Sequence, residues 1–503
     1  MNAALEKRLK RQVIGKLHRF QAVVPLGFEQ TFVNELECIR RETRDDNQAR
    51  RESQPTELGI TESKALEQPQ IVGDGKVEFT AKITDAWKAV AYSRIANRVL
   101  MHIADFKAEN FRELEKKASE IPFELYLTTN HQPLITIHVT CKHSRLYHSD
   151  AIAERLYNVI SQSNITQSEA SSEGEARPHT PWFDKRLVSL SNHTNRFIAV
   201  ASDPTPQNLY VTLIDDRCTI WLDLAGEELY KRGFERFVND APLKETIAAA
   251  MIFEAINCVD PIGTPCLQDD RHQDDRNGVA TLTTNHQPQT TLLDLMAGSG
   301  TFSLEAACIA NNIIPGACRD FALMHQPAFK EATWRFLIRR ENGTSAAISK
   351  IITSDISPKA ISIIKHNVEC SPLASITPKP INPQLRDFFS YTAKEIAEAC
   401  GDTSPILVLN PPYGKRLDFD APKLYTKIGK KLADIARELK AFNKALTVAI
   451  LAPKDDTREG SKYTCTTNLL RESPALAPNK NSTAKLIETS HGGFSLNAFI
   501  AKI

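Results

Sequence analysis

The stretch Thr291-Leu292-Leu293-Asp294-Leu295-Met296-Ala297-Gly298-Ser299-Gly300-Thr301 decides the fold expected for this chain. Its mostly apolar first half predicts a buried strand, its glycines predict a tight turn, and a helix from 302 to 310 follows. This order brings free backbone amides close to a ligand. The turn lacks the third glycine of GxGxxG and the GK[ST] of a phosphate-binding loop, which disfavours nicotinamide and nucleoside triphosphate sites. The alternative remains that this stretch is an ordinary strand, turn and helix of an α/β protein and binds no ligand.

Two acids follow further strand-like segments. Residues 351–356 predict a second strand that places Asp355 at its end, where a carboxylate can bind the two hydroxyls of a ribose. Asp387 and Phe388 end another segment. There, a carboxylate can accept a hydrogen bond from the amine of an adenine while a neighbouring side chain covers the adenine ring. Each acid alone could be an exposed loop residue. The order of the turn and both acids nevertheless fits neighbouring strand ends of one parallel sheet.

The apolar run 406–409 leads directly into Asn410, Pro411, Pro412 and Tyr413. An amide oxygen and a backbone carbonyl, held in a turn by prolines of fixed φ, can accept hydrogen bonds from an exocyclic amine. The tyrosine ring can stack on an extruded base. This tetrapeptide predicts methylation of a nucleobase nitrogen.

The composition is that of a soluble protein with more than one domain. Of its 503 residues, 42% are hydrophobic and 24% are charged. This length exceeds what one hydrophobic core usually organises. No apolar run approaches the roughly 20 residues of a membrane helix, and no secretory start is present, so we expect a cytoplasmic protein. Ten cysteines without a CxxC pair or a matching histidine spacing predict no metal site. With a net charge of only +1, nucleic-acid binding would depend on local patches.

The first half alternates strand-like and helix-like segments. The pattern predicts a helix over 85–106, and a hairpin over 209–224 that turns at Asp215-Asp216. Between a predicted strand and a predicted helix, the segment 142–148 offers Lys142, Arg145 and His148 to phosphate, although a plain solvated loop remains an alternative. The polar stretches 40–70, 161–182 and 261–290 are interpreted as surface insertions.

Further passages carry a family resemblance: 24–29 (VPLGFE), 93–100 (SRIANRVL), 142–148 (KHSRLYH), 231–234 (KRGF), 241–245 (APLKE) and 314–316 (IPG). Together with the glycine turn and the tetrapeptide, they make the chain similar to the THUMP-domain class I S-adenosylmethionine-dependent RNA methyltransferases that modify guanine N2 in bacterial 23S ribosomal RNA. The resemblance implies an α/β fold, with a doubly wound Rossmann-like methyltransferase domain preceded by an α+β ferredoxin-like region and a THUMP domain. The implied domains are 1–70, an amino-terminal ferredoxin-like region with a polar insertion; 71–225, a THUMP RNA-binding domain; and 226–503, the methyltransferase domain. With one such tetrapeptide, the chain is expected to perform one methylation.

The resemblance also implies roles for individual residues. Catalysis falls to Asn410, Pro411, Pro412 and Tyr413. S-adenosyl-L-methionine would be bound by Asp294, Ala297, Gly298, Ser299, Gly300, Thr301, Asp355, Ile356, Asp387, Phe388, Pro242, Leu243 and Lys244. Structured RNA would be contacted by Lys142, Arg145, His148 and Arg232. Apart from the resemblance, Lys415 and Arg416 follow the tetrapeptide closely and are also predicted to contact RNA phosphate.

Two departures from the family pattern are expected to tune the pockets. Leu295 and Ala297 stand where the family usually has proline and cysteine, and the segment 491–494 (HGGF) replaces a more usual Asn-Gly. No metal and no membrane are expected, and the oligomeric state is open.

Three alternatives remain at this stage. The tetrapeptide serves adenine-N6 enzymes as well, and only the resemblance of the first 250 residues favours guanine in structured RNA. Within the guanine reading, a tRNA could replace ribosomal RNA as the target. The chain could also be an RNA-binding ribosome assembly factor whose methyltransferase fold has lost activity.

Overall fold

The computed structural model divides the chain into two compact units, each with its own sheet. The first unit comprises Met1–Val23, Asn47–Gly233 and Gly316–Arg339, and the second comprises Val24–Asp46, Phe234–Pro315 and Arg340–Ile503. The structure describes residues 3–52, 68–128, 135–168, 207–238, 242–259, 289–338, 347–413, 420–456, 464–479 and 482–503, without the side chains of 41–52 and 163–168.

Fourteen strands and twelve α-helices are assigned within the described residues. The strands are β1 Leu17–Val23, β2 Gln70–Gly73, β3 Lys76–Lys82, β4 Arg98–Lys107, β5 Ile135–Lys142, β6 Gln207–Ile214, β7 Arg217–Asp223, β8 Thr290–Asp294, β9 Ile348–Asp355, β10 Gln384–Leu385, β11 Ser404–Leu409, β12 Thr447–Pro453, β13 Lys485–His491 and β14 Phe494–Lys502. The helices are α1 Ala3–Leu9, α2 Glu29–Glu52, α3 Ile83–Tyr92, α4 Phe111–Ser119, α5 Ser149–Ser168, α6 Glu245–Val259, α7 Thr301–Ala310, α8 Glu331–Leu337, α9 Pro358–Glu369, α10 Ala393–Cys400, α11 Ala421–Leu439 and α12 Cys465–Glu472. None of these helices combines the length and apolar character that crossing a bilayer requires.

The first unit is built on a seven-stranded sheet in the order β2-β3-β1-β4-β7-β6-β5. Only the β5–β6 pair is parallel, and the other neighbours are antiparallel. The predicted hairpin is confirmed as β6 and β7. Its two turn residues, Asp215 and Asp216, have φ values of 50° and 61°, as a tight turn between twisted strands requires.

The predicted helix over 85–106 is wrong. Helix α3 ends at Tyr92, where the Ser93 hydroxyl accepts hydrogen bonds from the amides of Ile95 and Ala96, and the chain then enters β4. Val99, Leu100 and Met101 of β4 are all buried, so this part of the strand does not alternate between apolar and polar residues. Periodicity alone does not separate such a continuously buried strand from a helix.

Two of the predicted polar insertions begin as helix. Helix α2 continues through 40–52, and α5 continues to Ser168. Residues 53–67, 169–182 and 261–288 of the three stretches lie outside the described residues.

The second unit is built on a seven-stranded sheet in the order β10-β9-β8-β11-β12-β14-β13. The first five strands are parallel, whereas β14 is antiparallel to β12 and to β13. Helices cover both faces: Ile351 packs against an apolar cluster that includes α7 and α9, and its neighbour Ile352 packs against one that includes α10, α11 and α12. Successive strand residues point to opposite faces. The predicted doubly wound, Rossmann-like α/β architecture is therefore confirmed for this unit.

An early segment of the chain, Val24–Asp46, belongs to the second unit. Thr31 on α2 donates a hydrogen bond to Glu254 on α6 over 2.7 Å, and the second carboxylate oxygen of Glu254 accepts from Lys485 over 2.8 Å. Gly27, at φ 83°, passes so close to the carbonyl of Glu488 that an added Cβ would lie 2.3 Å from its oxygen. This close approach explains the glycine in the VPLGFE passage.

The division into 1–70, 71–225 and 226–503 stays a prediction. The structural units are discontinuous, and β2 crosses the predicted boundary at residue 70 while pairing into the same sheet as β1. Residues 316–339 lie in the first unit, where the Gly316 amide donates to the carbonyl of Ala91 over 3.2 Å.

Candidate active site

The parallel part of the second sheet brings four predicted features to one edge. Strands β10, β9, β8 and β11 are consecutive neighbours and point the same way. Asp387 lies just beyond β10, Asp355 ends β9, the glycine turn follows β8, and Asn410 follows β11. In an open α/β sheet, ligands bind in the crevice outside the carboxyl ends of the strands. The candidate site is therefore a single edge, assembled from segments more than a hundred residues apart.

The glycine turn has the backbone conformation that its sequence predicts. Gly298 and Gly300 have φ values of 57° and 78°, and Gly300 caps the start of α7. The Gly298 amide donates to Asp355 Oδ2 over 2.8 Å, and the Ala297 amide donates to the carbonyl of Ser354 over 3.1 Å. A Cβ added at Gly298 would meet no atom within 4 Å. Open space therefore adjoins the turn where a ligand could approach.

Asp355 is half-buried and oriented by backbone amides. Its Oδ1 accepts from the Ser357 amide over 2.8 Å, and its Oδ2 accepts from Gly298. A carboxylate has about four lone-pair sites, so hydroxyls can still bind. The adjacent Ile356 is 69% exposed and is free to pack on a flat ring.

Asp294 supports the turn from beneath. It is only 1% exposed, and its Oδ2 accepts from the amide and the hydroxyl of Ser303 over 3.1 and 2.7 Å. Burial raises the pKa of this carboxyl to about 7. Asp294 therefore fixes the start of α7 to the end of β8.

Asp387 and Phe388 differ in their exposure at the edge of the sheet. Asp387 Oδ1 accepts from the Phe389 amide over 3.0 Å, and the residue is half-buried. Phe388 is 2% exposed and lies in the apolar cluster of β8, β11 and α10, so in this arrangement it supports the pocket wall from behind.

Residues 234–238, here called the strap, were missed as site residues by sequence reasoning. Arg236 forms an ion pair with Glu245 and a hydrogen bond to the Thr301 hydroxyl. Asn367 on α9 accepts from the Phe237 amide over 2.8 Å and donates to the Phe237 carbonyl over 2.9 Å. The same amide group of Asn367 also donates to the Ser299 carbonyl over 3.1 Å.

The strap therefore joins the glycine turn to α6 and α9. Asn367 is completely buried on the apolar side of α9, and this single amide among apolar helix residues is the sequence signal that could have revealed it. Pro242, Leu243 and Lys244 follow the strap and precede α6, and the Leu243 carbonyl accepts from Thr301 over 3.4 Å.

The tetrapeptide after β11 contains an unsatisfied acceptor. Asn410 Oδ1 is buried and accepts no hydrogen bond from the described residues. Leaving such an oxygen unpaired costs about 1–3 kcal/mol, so we expect a donor beyond the described residues to satisfy it. Pro411 is buried, Pro412 is exposed, and Tyr413 is 9% exposed.

The hairpin between β13 and β14 lies against this tetrapeptide. The Tyr413 and Phe494 rings meet edge to face, with centroids 5.8 Å apart and an interplanar angle of 71°. Gly492 and Gly493, at φ 58° and 82°, form the two-residue turn between the paired residues His491 and Phe494.

His491 links this hairpin to the segment before α6. Its Nε2 lies 2.7 Å from the Pro242 carbonyl, which a protonated Nε2 must donate to. Burial lowers the pKa of His491, which favours the neutral ring. The HGGF segment therefore contacts both the target-base side and the cofactor side of the predicted site.

The predicted RNA contacts of the first unit are unequal. Arg145 is exposed but ion-paired with Glu109 and Asp216, and the ring of His148 lies 4.1 Å from that of the exposed Tyr147. Lys142 ends β5 in the same loop. Arg232 is 6% exposed and donates to the carbonyls of Leu229 and Arg94, so its burial does not favour a phosphate contact. Lys415 and Arg416 lie outside the described residues.

Comparison with known proteins agrees with this arrangement. Residues 280–454 match the model of the family described as RMKL-like, methyltransferase domain. This region of the chain is similar to an RMKL-like methyltransferase domain. This domain contains the glycine turn, both strand-end acids and the tetrapeptide, and the recognition made from the sequence is confirmed at the level of a methyltransferase of this class.

Similar proteins extend the likeness beyond that domain. The chain is 27% identical over 398 residues to ribosomal RNA large subunit methyltransferase K/L of Allochromatium vinosum, covering 76% of this chain and 45% of that protein. It thus spans about half the length of the curated relatives it matches.

Two solved structures share the fold. A protein described as a possible methylase from Clostridium difficile 630 superposes with a TM-score of 0.60 at 20% identity, over 97% of this chain and 98% of that one. SMU.472, solved in a complex with SAH, gives a TM-score of 0.61 at 19% identity over the same shares.

Proposed function

We propose that this chain transfers a methyl group from S-adenosyl-L-methionine to the exocyclic N2 of a guanine in structured RNA, with 23S ribosomal RNA as the target. The proposal rests on Asn410 Oδ1, a buried acceptor beside Tyr413 that has no hydrogen-bond partner among the residues that the structure describes. It lies at the strand-end edge that also holds the glycine turn. An activity on ribosomal RNA belongs in the cytoplasm.

The residues present fit the cofactor. The open space at Gly298 admits the methionine portion beside the turn, and Asp355 retains lone pairs for the ribose hydroxyls. Ile356 can cover the adenine ring, and Asp387 can accept from its amine. When bound, the cofactor supplies an activated methyl group on a sulfonium.

The chain's own task is to align and activate the amine. The lone pair of an exocyclic guanine amine is drawn into the ring, and acceptors on its hydrogens favour a pyramidal, more nucleophilic nitrogen. Asn410 Oδ1 and the Pro411 carbonyl are those acceptors, and the fixed φ of both prolines holds them in place. Tyr413 stacks on the base and is itself held by its edge-to-face contact with Phe494. Catalysis therefore depends on positioning the amine and on hydrogen bonds to it, and water takes the proton once the amine is methylated.

The choice of RNA rests on the extent of the sequence likeness. The match to the Allochromatium protein covers 398 residues, many more than the 269 residues of the second unit. Part of the first unit is therefore included. In that unit, the loop 142–148 presents the exposed Tyr147 and Arg145 beside His148, a combination suited to bases and phosphates.

The test is to identify the product. Purified protein is incubated with labelled cofactor and with ribosomal RNA or tRNA from an unmodified source, and the methylated nucleoside is located by mass spectrometry. We expect N2-methylguanosine in 23S ribosomal RNA. N6-methyladenosine as the product would show that adenine N6 is methylated instead of guanine N2. A product confined to tRNA would show that tRNA is the substrate. Tight RNA binding without any product would favour an assembly factor.

Two variants of Asn410 separate the roles of its side chain. Asn410→Ala should bind SAH as the parent does and lose about 100-fold or more in methyl transfer, as loss of a preorganised polar group does in other enzymes. Asn410→Asp keeps an acceptor and should retain more activity than the alanine variant. Asn311→Ala is the matched control, because Asn311 lies at the far end of α7 and its side chain donates to the Ala307 carbonyl there. Activity of Asn410→Ala close to that of the parent would contradict the proposal.

A further inference from the structure

Three potential metal ligands meet beside the strap. Glu235 belongs to the strap itself, His366 lies in the last turn of α9, and Cys370 follows directly after that helix. Their carboxylate, imidazole and thiol ligand atoms all lie within 4.8 Å of one another. Within the described part of the chain, this is the one group of three or more such residues that could hold a metal ion.

The distance between the two α9-derived ligands fits a tetrahedral site. Cys370 Sγ lies 3.5 Å from His366 Nε2. With metal–sulfur and metal–nitrogen bonds of about 2.3 and 2.0 Å, the S···N edge of a tetrahedron around zinc is about 3.5 Å. Their spacing of four residues places both on one side of the helix end. Glu235 is exposed, so its carboxylate can close the remaining distance by a change of rotamer.

The ligands are already oriented by their surroundings. The His366 ring stacks on Phe237 with centroids 3.8 Å apart and planes inclined by 17°. Phe237 in turn exchanges two backbone hydrogen bonds with Asn367, the residue next to His366. Both the imidazole plane and the course of the strap at Glu235 are therefore set before any ion binds, as a metal site requires.

We propose that Glu235, His366 and Cys370 bind a divalent transition-metal ion, zinc in preference to magnesium or calcium. A thiolate and an imidazole select zinc, whereas the hard cations prefer oxygen ligands alone. Three protein ligands leave a fourth position for water. The bound ion joins the strap to the end of α9. It reinforces the hydrogen bonds of Asn367 to Phe237 and to the Ser299 carbonyl of the glycine turn, here called the clamp. The ion takes no part in methyl transfer, because its ligands are separate from the tetrapeptide and from the strand-end acids.

Cobalt provides a direct readout, since Co²⁺ bound by a thiolate gives a sulfur-to-metal charge-transfer absorption. The full chain, freed of metal, is titrated with CoCl₂, and zinc is then added to displace the cobalt. We expect one metal per chain, loss of the absorption in Cys370→Ser, and weakened binding in His366→Ala and Glu235→Gln. Cys141→Ser is the matched control, a half-buried cysteine on β5 of the first unit, and it should keep the parent's absorption.

Thermal unfolding adds a second measurement. Zinc should raise the Tm of the parent and of Cys141→Ser but not that of Cys370→Ser. Absence of the charge-transfer absorption in the parent, or its survival in Cys370→Ser, would overturn the site. Neither measurement involves methyl transfer, so the outcome is independent of the proposed enzymatic activity.

Discussion

Tyr413 and Phe494 lie edge to face, with ring centroids 5.8 Å apart, although one follows a parallel strand and the other begins the last strand of the sheet. Under the proposed function, this contact holds the tyrosine ring on which the target base would stack. The HGGF segment, which departs from the family pattern, is thus part of the wall of the proposed base pocket.

Phe494→Ala should weaken use of RNA without affecting the cofactor. An aromatic pair of this geometry contributes about 0.5–1.5 kcal/mol, so KM for RNA should rise roughly two- to tenfold. SAH affinity, measured by calorimetry, should not change. Phe442→Ala is the control, since Phe442 is 41% exposed in the same unit. A selective loss of SAH binding in Phe494→Ala would place the hairpin in the cofactor pocket alone.

The two glycines of the turn should respond differently to alanine. At Gly298 the added Cβ meets nothing, so Gly298→Ala should lose only about 1 kcal/mol of unfolding free energy from its positive φ, while the Cβ obstructs the cofactor. At Gly300 the Cβ would lie 3.0 Å from Ile364 Cγ1, so Gly300→Ala should lose about 2–3 kcal/mol. Denaturant unfolding and SAH titration of both variants test this. Equal stability losses with unchanged SAH affinity in Gly298→Ala would contradict it.

Asp294 should make unfolding depend on pH in a defined window. Burial raises its pKa from 3.8 to about 7. Because the folded-state pKa is the higher one, the bound proton favours folding; this stabilisation is complete below about pH 4 and is lost as the pH rises through about 7.

The difference in unfolding free energy between the parent and Asp294→Asn isolates this effect. We expect the parent to lose about 3–4 kcal/mol relative to the variant between pH 4 and pH 8. Denaturant titrations at several pH values measure it. A difference that stays constant with pH would show that the carboxyl titrates normally in the folded protein.

Asn367→Ala should loosen the strap and weaken cofactor binding together. The substitution leaves the Phe237 amide and carbonyl and the Ser299 carbonyl without their shared partner, for a loss of about 3 kcal/mol in unfolding free energy. Because Ser299 lies in the glycine turn, SAH affinity should also fall. Asn311→Ala, which removes one hydrogen bond at the end of α7, should change stability by less than about 1 kcal/mol and leave SAH binding intact. Unchanged SAH affinity in Asn367→Ala would show that the clamp does not position the turn.

The amino-acid sequence by itself determined the parts of this protein that depend on nearby residues. The strand and glycine turn at 291–301, the acid at the end of β9 and the tetrapeptide after β11 are set by local apolar patterns and by turn chemistry. Their order along the chain already indicated one parallel sheet. The same local reasoning failed at 85–106, where a strand buried on both faces has no alternation to distinguish it from a helix.

Only the tertiary structure decided which distant residues complete the site. It placed residues 24–46 in the second unit and residues 316–339 in the first. It brought His491 to the Pro242 carbonyl across 249 positions and Asn367 to Phe237 across 130. Such contacts arise from burial of whole helices and strands against one another, a property of the packed chain that no local pattern encodes. The sequence supplied the candidate site residues, and packing determined what holds them in place.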